Sequence, residues 1–209
     1  MKREQNYHLM AEKILIQSDN LQIEGLLDRR TTDKGAVISH PHPLYGGNMY
    51  AAGVESIVHA YWKKGYTTLR FNFRGVGSSQ GRYDNGVGEQ QDVLAALSFL
   101  SETGTKQIDL AGYSFGAWVN AHAVRQDTPV ERMVLVSPPV GFMDFTKIAA
   151  IHRLKLVVTG SRDQIAPAEQ IKTLLPSWNP EARFEIIEGA DHFYGGYLDR
   201  LEKILDDYL

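Results

Sequence analysis

The 209-residue sequence contains no cysteine. Disulfides, thiolate zinc sites, iron–sulfur clusters and a cysteine nucleophile are thereby excluded. It also lacks a basic patch. The 22 Lys and Arg stand against 25 Asp and Glu, giving a net charge of −3. The longest basic runs are Lys2-Arg3, Arg29-Arg30 and Lys63-Lys64. Nucleic-acid binding shows as a basic face or stripe, so neither a nucleic acid nor an anionic membrane surface is an expected partner. No stretch approaches the about 18 apolar residues of a membrane span, so membrane insertion is not expected. The opening Met1-Lys2-Arg3-Glu4-Gln5-Asn6 has no apolar core of the kind a secretory signal carries. A cytoplasmic location is the expectation. Repeats, low-complexity tracts and linker-like stretches are missing as well.

What is present suits a globular protein. Hydrophobic residues make up 43 % and charged residues 22 %, which sets the chain apart from disordered and coiled-coil sequences. The length predicts one domain over residues 1–209. Two early apolar runs, 12–17 and 21–27, flank the turn Ser18-Asp19-Asn20 and read as a hairpin. Thereafter short apolar runs alternate with helical patterns. Strands are predicted at 36–39, 67–73, 107–113, 133–136, 154–159 and 184–187. Helices are predicted at 51–64, 90–100, 115–123, 167–175 and 198–209, with Gly65 ending the first and Pro167 in the first turn of the fourth. Such alternation indicates an α/β fold with a mostly parallel sheet of about eight strands.

Gly112-Tyr113-Ser114-Phe115-Gly116 matches G-x-S-x-G. The pattern belongs to a sharp strand-to-helix turn with the serine at its apex, where only small flanking residues avoid clashes. Here it follows a predicted strand and opens a predicted helix, as the turn requires. A serine hydroxyl is a weak nucleophile and needs an adjacent base. His192, in Gly189-Ala190-Asp191-His192-Phe193, lies just past the last strand and is the candidate. Of the other histidines, His59 and His122 fall within helices, His152 precedes a strand and His8 lies in the N-terminal segment. The acid that orients the imidazole is expected to be Asp163, at the end of the strand in Thr159-Gly160-Ser161-Arg162-Asp163. Asp191 is the rival, but an immediate neighbour reaches Nδ1 of His192 poorly.

An oxyanion needs backbone N–H donors. Phe115, the residue after the serine, should supply one. The other should come from His40-Pro41-His42-Pro43-Leu44-Tyr45-Gly46-Gly47. Pro41 and Pro43 have no N–H, which leaves His42, slightly favoured, or Leu44. A second reading makes His40 and His42 a metal pair, although further ligands cannot be placed. Gly75-Val76-Gly77-Ser78-Ser79-Gln80-Gly81 has Gln80 where a dinucleotide fingerprint needs glycine, so it reads as a structural loop.

Taken together, these segments resemble the α/β-hydrolase superfamily, and more closely its small bacterial serine hydrolases with an H-P-H-P-L-x-G-G loop. The matching pieces are His40–Gly47, Phe71-Asn72-Phe73-Arg74-Gly75-Val76-Gly77, Gly112–Gly116, Gly160–Asp163 and Asp191-His192. The resemblance implies an eight-stranded, mostly parallel sheet with helices on both faces. It also implies hydrolysis of esters or related acyl compounds without a cofactor or metal. Many relatives insert a cap after the strand that follows the nucleophile helix. In this chain that stretch, 137–153, has only 17 residues and opens with Pro138, Pro139 and Gly141. Little or no lid is therefore expected. Tyr45, Trp118, Phe142, Met143 and Phe193 are candidate substrate-binding side chains, with Phe145 beside them. Core or rim packing is the competing reading of Trp118, Phe142, Met143 and Phe145.

The expected partner is a small-molecule acyl ester. A thioesterase or peptidase with the same triad is the alternative, and a non-catalytic binding protein on the same fold is a third reading. Nothing in the sequence marks a dimer surface.

Overall fold

The computed structural model describes residues 11–30, 33–148 and 150–209. Its strands are β1 (Glu12–Ser18), β2 (Leu21–Asp28), β3 (Lys34–Ser39), β4 (Thr67–Phe71), β5 (Gln107–Tyr113), β6 (Arg132–Val136), β7 (Leu154–Gly160) and β8 (Arg183–Ile187). Its helices are α1 (Ala52–Lys63), α2 (Val87–Glu102), α3 (Phe115–Ala123), α4 (Ala168–Trp178) and α5 (Leu198–Tyr208). The strands form one sheet in the order β1-β2-β4-β3-β5-β6-β7-β8. β2 pairs antiparallel with β1 and with β4; every other pairing is parallel. The expected hairpin and the alternation that follows are both present. Several boundaries differ: β3 begins at Lys34, β4 stops at Phe71, and α2 runs from Val87 to Glu102, beyond the predicted 90–100 at both ends. Pro167 precedes α4 as its N-cap, and the helix runs on through Pro176 to Trp178.

The central strands are apolar on both faces because helices cover both. Val37, Leu110 and Leu135 point to the side where Val93 and Leu97 of α2, Ala117 of α3 and Ile171 of α4 are buried. Their neighbours Ala36, Ile38, Ala111, Val134 and Val136 point the other way, to Val54, Ile57 and Tyr61 of α1 and Leu201 and Leu205 of α5. Strict period-2 alternation holds until β7. There Met133 pairs with Leu154 but Val134 pairs with Leu156. The extra residue, Lys155, makes a bulge, so Leu154 and Leu156 join opposite cores.

All parallel strands end at one edge of the sheet, and the loops after β3, β5, β6, β7 and β8 meet there. Residues 137–153 form turns and no helix among those described. No helix among the described residues is long and apolar enough to cross a membrane.

Candidate active site

β5 ends at Tyr113 and α3 begins at Phe115, so Ser114 alone makes the turn. Its backbone sits at φ 56, ψ −118, a region costly to a residue with a Cβ. The flanking glycines explain how the turn closes. A Cβ on Gly112 would lie 2.6 Å from the Ala117 nitrogen, and one on Gly116 would lie 2.5 Å from the Ser39 carbonyl oxygen. The Ser114 N–H is held by the Val136 carbonyl at 2.9 Å.

The structure brings Ser114, His192 and Asp163 together from three loops. Nε2 of His192 is 2.8 Å from Ser114 Oγ. Its Nδ1 is 2.8 Å from Oδ2 and 3.0 Å from Oδ1 of Asp163. With a carboxylate at Nδ1, the neutral ring carries its proton there and offers the Nε2 lone pair to the hydroxyl. Oδ1 of Asp163 also accepts the N–H groups of Ile165 at 2.9 Å and Ala166 at 2.7 Å. Burial pushes the Asp163 carboxyl up, but the hydrogen bonds and charge of His192, the Ala166 N–H and the Ser137 hydroxyl outweigh it. The group is held below the usual carboxylate range. Asp191 is occupied elsewhere: its Oδ1 accepts the Phe193 N–H at 3.0 Å.

Three further residues brace this line, and none was read from the sequence. The hydroxyls of Ser137 and Tyr194 lie 2.7 Å apart, and both residues are fully buried. Tyr113 donates its hydroxyl to the carbonyl of His192 at 2.6 Å. Ser137 (φ 44) and Tyr194 (φ 57), like Ser114, have left-handed backbones. The other non-glycine residues in that region among those described are Asp19 and Asn85, types that tolerate it readily.

In the loop after β3, His42 caps a short 3-10 turn, Pro43–Tyr45. The Leu44 N–H donates to Nδ1 of His42 at 3.2 Å. Leu44 is therefore spoken for as an oxyanion donor, whereas the backbone N–H groups of His42 and Phe115 make no hydrogen bond among the described residues. The rings of His42 and Phe115 pack at 4.7 Å, which draws the two together. The Tyr83 hydroxyl lies 3.3 Å from Nε2 of His42. His40 turns inward instead. Its Nδ1 is 2.6 Å from the Pro41 carbonyl, its Nε2 accepts the Phe73 N–H at 3.0 Å, and burial lowers its pKa to about 4. The two rings thus face separate protein partners and not a shared ligand point. Gly47 closes the loop because a Cβ there would lie 2.1 Å from the Pro41 oxygen. The glycine-rich loop after β4 is structural: Arg74 binds buried Asp92 at 2.8 Å, and Gly75 N–H donates to the Gln80 carbonyl at 3.0 Å. His8 lies outside the described residues.

A cavity of about 650 Å³ opens beside Ser114. Tyr45, Phe142, Met143 and Phe193 line it, as do Ile165 and Tyr113. Trp118 does not. Its ring fills the space over Gly86, where a Cβ would lie 2.1 Å from Cζ3, and its Nε1 donates to the Asp144 carbonyl at 3.0 Å. Phe145 is core, packed 5.2 Å from the Trp178 ring. For these two, packing is the correct reading.

A parallel α/β sheet with a serine at a strained strand-to-helix turn, beside a histidine and an acid, defines the class of serine-hydrolase-like proteins. Residues 45–206 match the alpha/beta hydrolase family, and the chain belongs to it. The chain is 36 % identical over 200 residues to an uncharacterized protein of Rickettsia prowazekii, covering 90 % of this chain and 84 % of that one. Among solved structures, an alpha-beta serine hydrolase homologue from Coxiella burnetii shares 38 % identity, with a TM-score of 0.88 and coverage of 95 % of this chain and 97 % of that one. A serine hydrolase without lid from Xanthomonas campestris shares 26 %, with a TM-score of 0.86 over 94 % and 92 % of the two chains. Together they mark this chain as a hydrolase of that family.

Proposed function

We propose that the protein hydrolyses carboxylic esters through a Ser114–His192–Asp163 triad and an acyl-enzyme intermediate. One observation carries the reading: an unbroken hydrogen-bonded line from Asp163 through His192 to Ser114 Oγ, opening on a cavity. Ser114 Oγ attacks the ester carbonyl carbon while Nε2 of His192 takes its proton. The oxyanion is received by the N–H groups of Phe115 and His42. Asp163 stabilises the imidazolium that forms. The tetrahedral species collapses, the bond to the alcohol oxygen breaks, and His192 protonates the leaving alkoxide. Water then attacks the acyl-Ser114 ester, gives its proton to Nε2, and the acid leaves as Ser114 recovers its hydrogen.

The test is hydrolysis of p-nitrophenyl acetate and butyrate by wild type and Ser114→Ala. The variant is expected to lose on the order of 10⁴- to 10⁶-fold in kcat and to escape labelling by a fluorophosphonate probe. Retention of most activity would overturn the assignment of the nucleophile.

A further inference from the structure

The cavity's size exceeds what a small acyl group needs. At about 650 Å³ it falls in the range of sites that enclose whole drug-sized ligands. None of its lining residues is Lys, Arg, Asp or Glu. His192 belongs to the reaction. His42, the other histidine in the lining, has its pKa lowered by burial, which favours the uncharged ring. An ionised substrate group would leave water for a site with no counter-charge, which is strongly unfavourable.

The mouth supplies a second observation. Four large aromatic side chains are exposed among the described residues, Tyr45, Tyr50, Phe142 and Phe193, and all but Tyr50 line this cavity. Tyr45 is 75 %, Phe142 69 % and Phe193 70 % exposed. They come from three different loops, those after β3, β6 and β8. None is buried in a core cluster, so most of each ring's surface faces solvent at the mouth of the cavity. Tyr45 and Phe142 meet edge-on at 6.4 Å, and Phe193 stands edge-on to His192 at 5.5 Å. The three rings thus line the same cavity as Ser114 and stay largely exposed at its mouth.

We infer that the substrate is an uncharged ester bearing an aromatic ring, and that Tyr45, Phe142 and Phe193 are specificity-determining residues that receive that ring. The inference rests on the acyl-transfer reading of Ser114. Aromatic pairs add attraction beyond the area they bury, and an alkyl chain of equal size lacks that part. Without a lid, these three rings and the substrate's own ring would cover the reacting carbonyl.

The experiment uses esters without an aromatic reporter, followed by proton release. Ethyl 3-phenylpropanoate is compared with ethyl nonanoate, and benzyl acetate with heptyl acetate, so that a ring on the acyl side and a ring on the alcohol side are tested separately. The aryl ester is expected to win by about tenfold in kcat/KM in at least one pair, as one or two aromatic contacts imply. Phe142→Ala and Phe193→Ala should each lower that aryl-to-alkyl ratio about three- to tenfold, mainly through KM. Leu15→Ala, a comparably exposed apolar residue on β1, should leave the ratio unchanged. Ethyl 3-(4-carboxyphenyl)propanoate should be cleaved at least about tenfold less efficiently than its uncharged parent. Ratios near one in both pairs, ratios indifferent to the ring substitutions, or equal cleavage of the carboxylate would each overturn the inference and leave Ser114-dependent ester hydrolysis standing. No Ser114-dependent hydrolysis of any of these esters would remove both.

Discussion

His40 and His192 invite comparison. Both are buried, 0 % and 7 % exposed, and both engage each ring nitrogen. Both stand in loops at the same edge of the sheet. Their partners differ. His40 faces a carbonyl, which only accepts, and a backbone N–H, which only donates. The neutral ring alone satisfies both, and a second proton would meet the Phe73 N–H with no counter-charge at hand. His192 faces a carboxylate on one side and a hydroxyl, which can donate or accept, on the other. Charge on that ring is matched, and its proton has a source. Burial does not make a histidine a base; an amphoteric partner and a counter-charge do.

The sharpest way to break this contrast is to remove the counter-charge. Asp163→Asn is expected to lower kcat about 10⁴-fold, because an amide permits the wrong tautomer and no longer stabilises the imidazolium. Urea unfolding should show that the variant still folds. A kcat within tenfold of wild type would erase the distinction drawn here. The second test concerns His40. Its folded pKa of about 4 lies below the about 6.5 of an unfolded histidine. The unfolded chain therefore binds the proton first, and stability falls as pH drops from about 6.5 to 4, by on the order of 3 kcal/mol from this group. His40→Gln should flatten the dependence of the unfolding free energy on pH across that window, read by denaturant titration at several pH values. An unchanged slope would show that His40 is not the group responsible. The smallest effect is expected at Tyr83→Phe, which removes the hydroxyl beside His42. Loss of one such contact corresponds to about two- to tenfold, and it should appear in kcat with KM little changed.

Much of the fold was legible because its signals are local. The hairpin turn at Ser18-Asp19-Asn20, the apolar runs of β3 to β8 and the glycines around Ser114 each state their structure within a few residues. Ser114, Asp163 and His192 could be paired from the sequence because the fold puts strand ends at one edge, so position after a strand served as position in space. That shortcut fails where side-chain direction decides. Trp118 follows Ser114 by four residues and Phe145 lies in the short stretch after β6, yet Gly86 and Trp178 offer them better-filled places away from the cavity. Ser137, Tyr194 and Tyr113 carried no local pattern at all. Their hydrogen bonds span 57 and 79 residues, and only the closed sheet brings the partners within reach. Whether the Leu44 N–H is left free depends on how the His42 ring caps its own loop, a detail of one ring's orientation.

The left-handed backbones of Ser114, Ser137 and Tyr194 have a consequence for the molecule as a whole. Each such position stores about 1–3 kcal/mol of strain, against a net stability of about 5–15 kcal/mol for a typical domain. The three are linked, since Ser114 hangs from Val136 just before Ser137, and Ser137 is bonded to Tyr194. Together they commit about 3–9 kcal/mol to holding the ends of β5 and β6 and the loop after β8 in one arrangement. A substitution that relaxes one of them is expected to raise the stability of the chain.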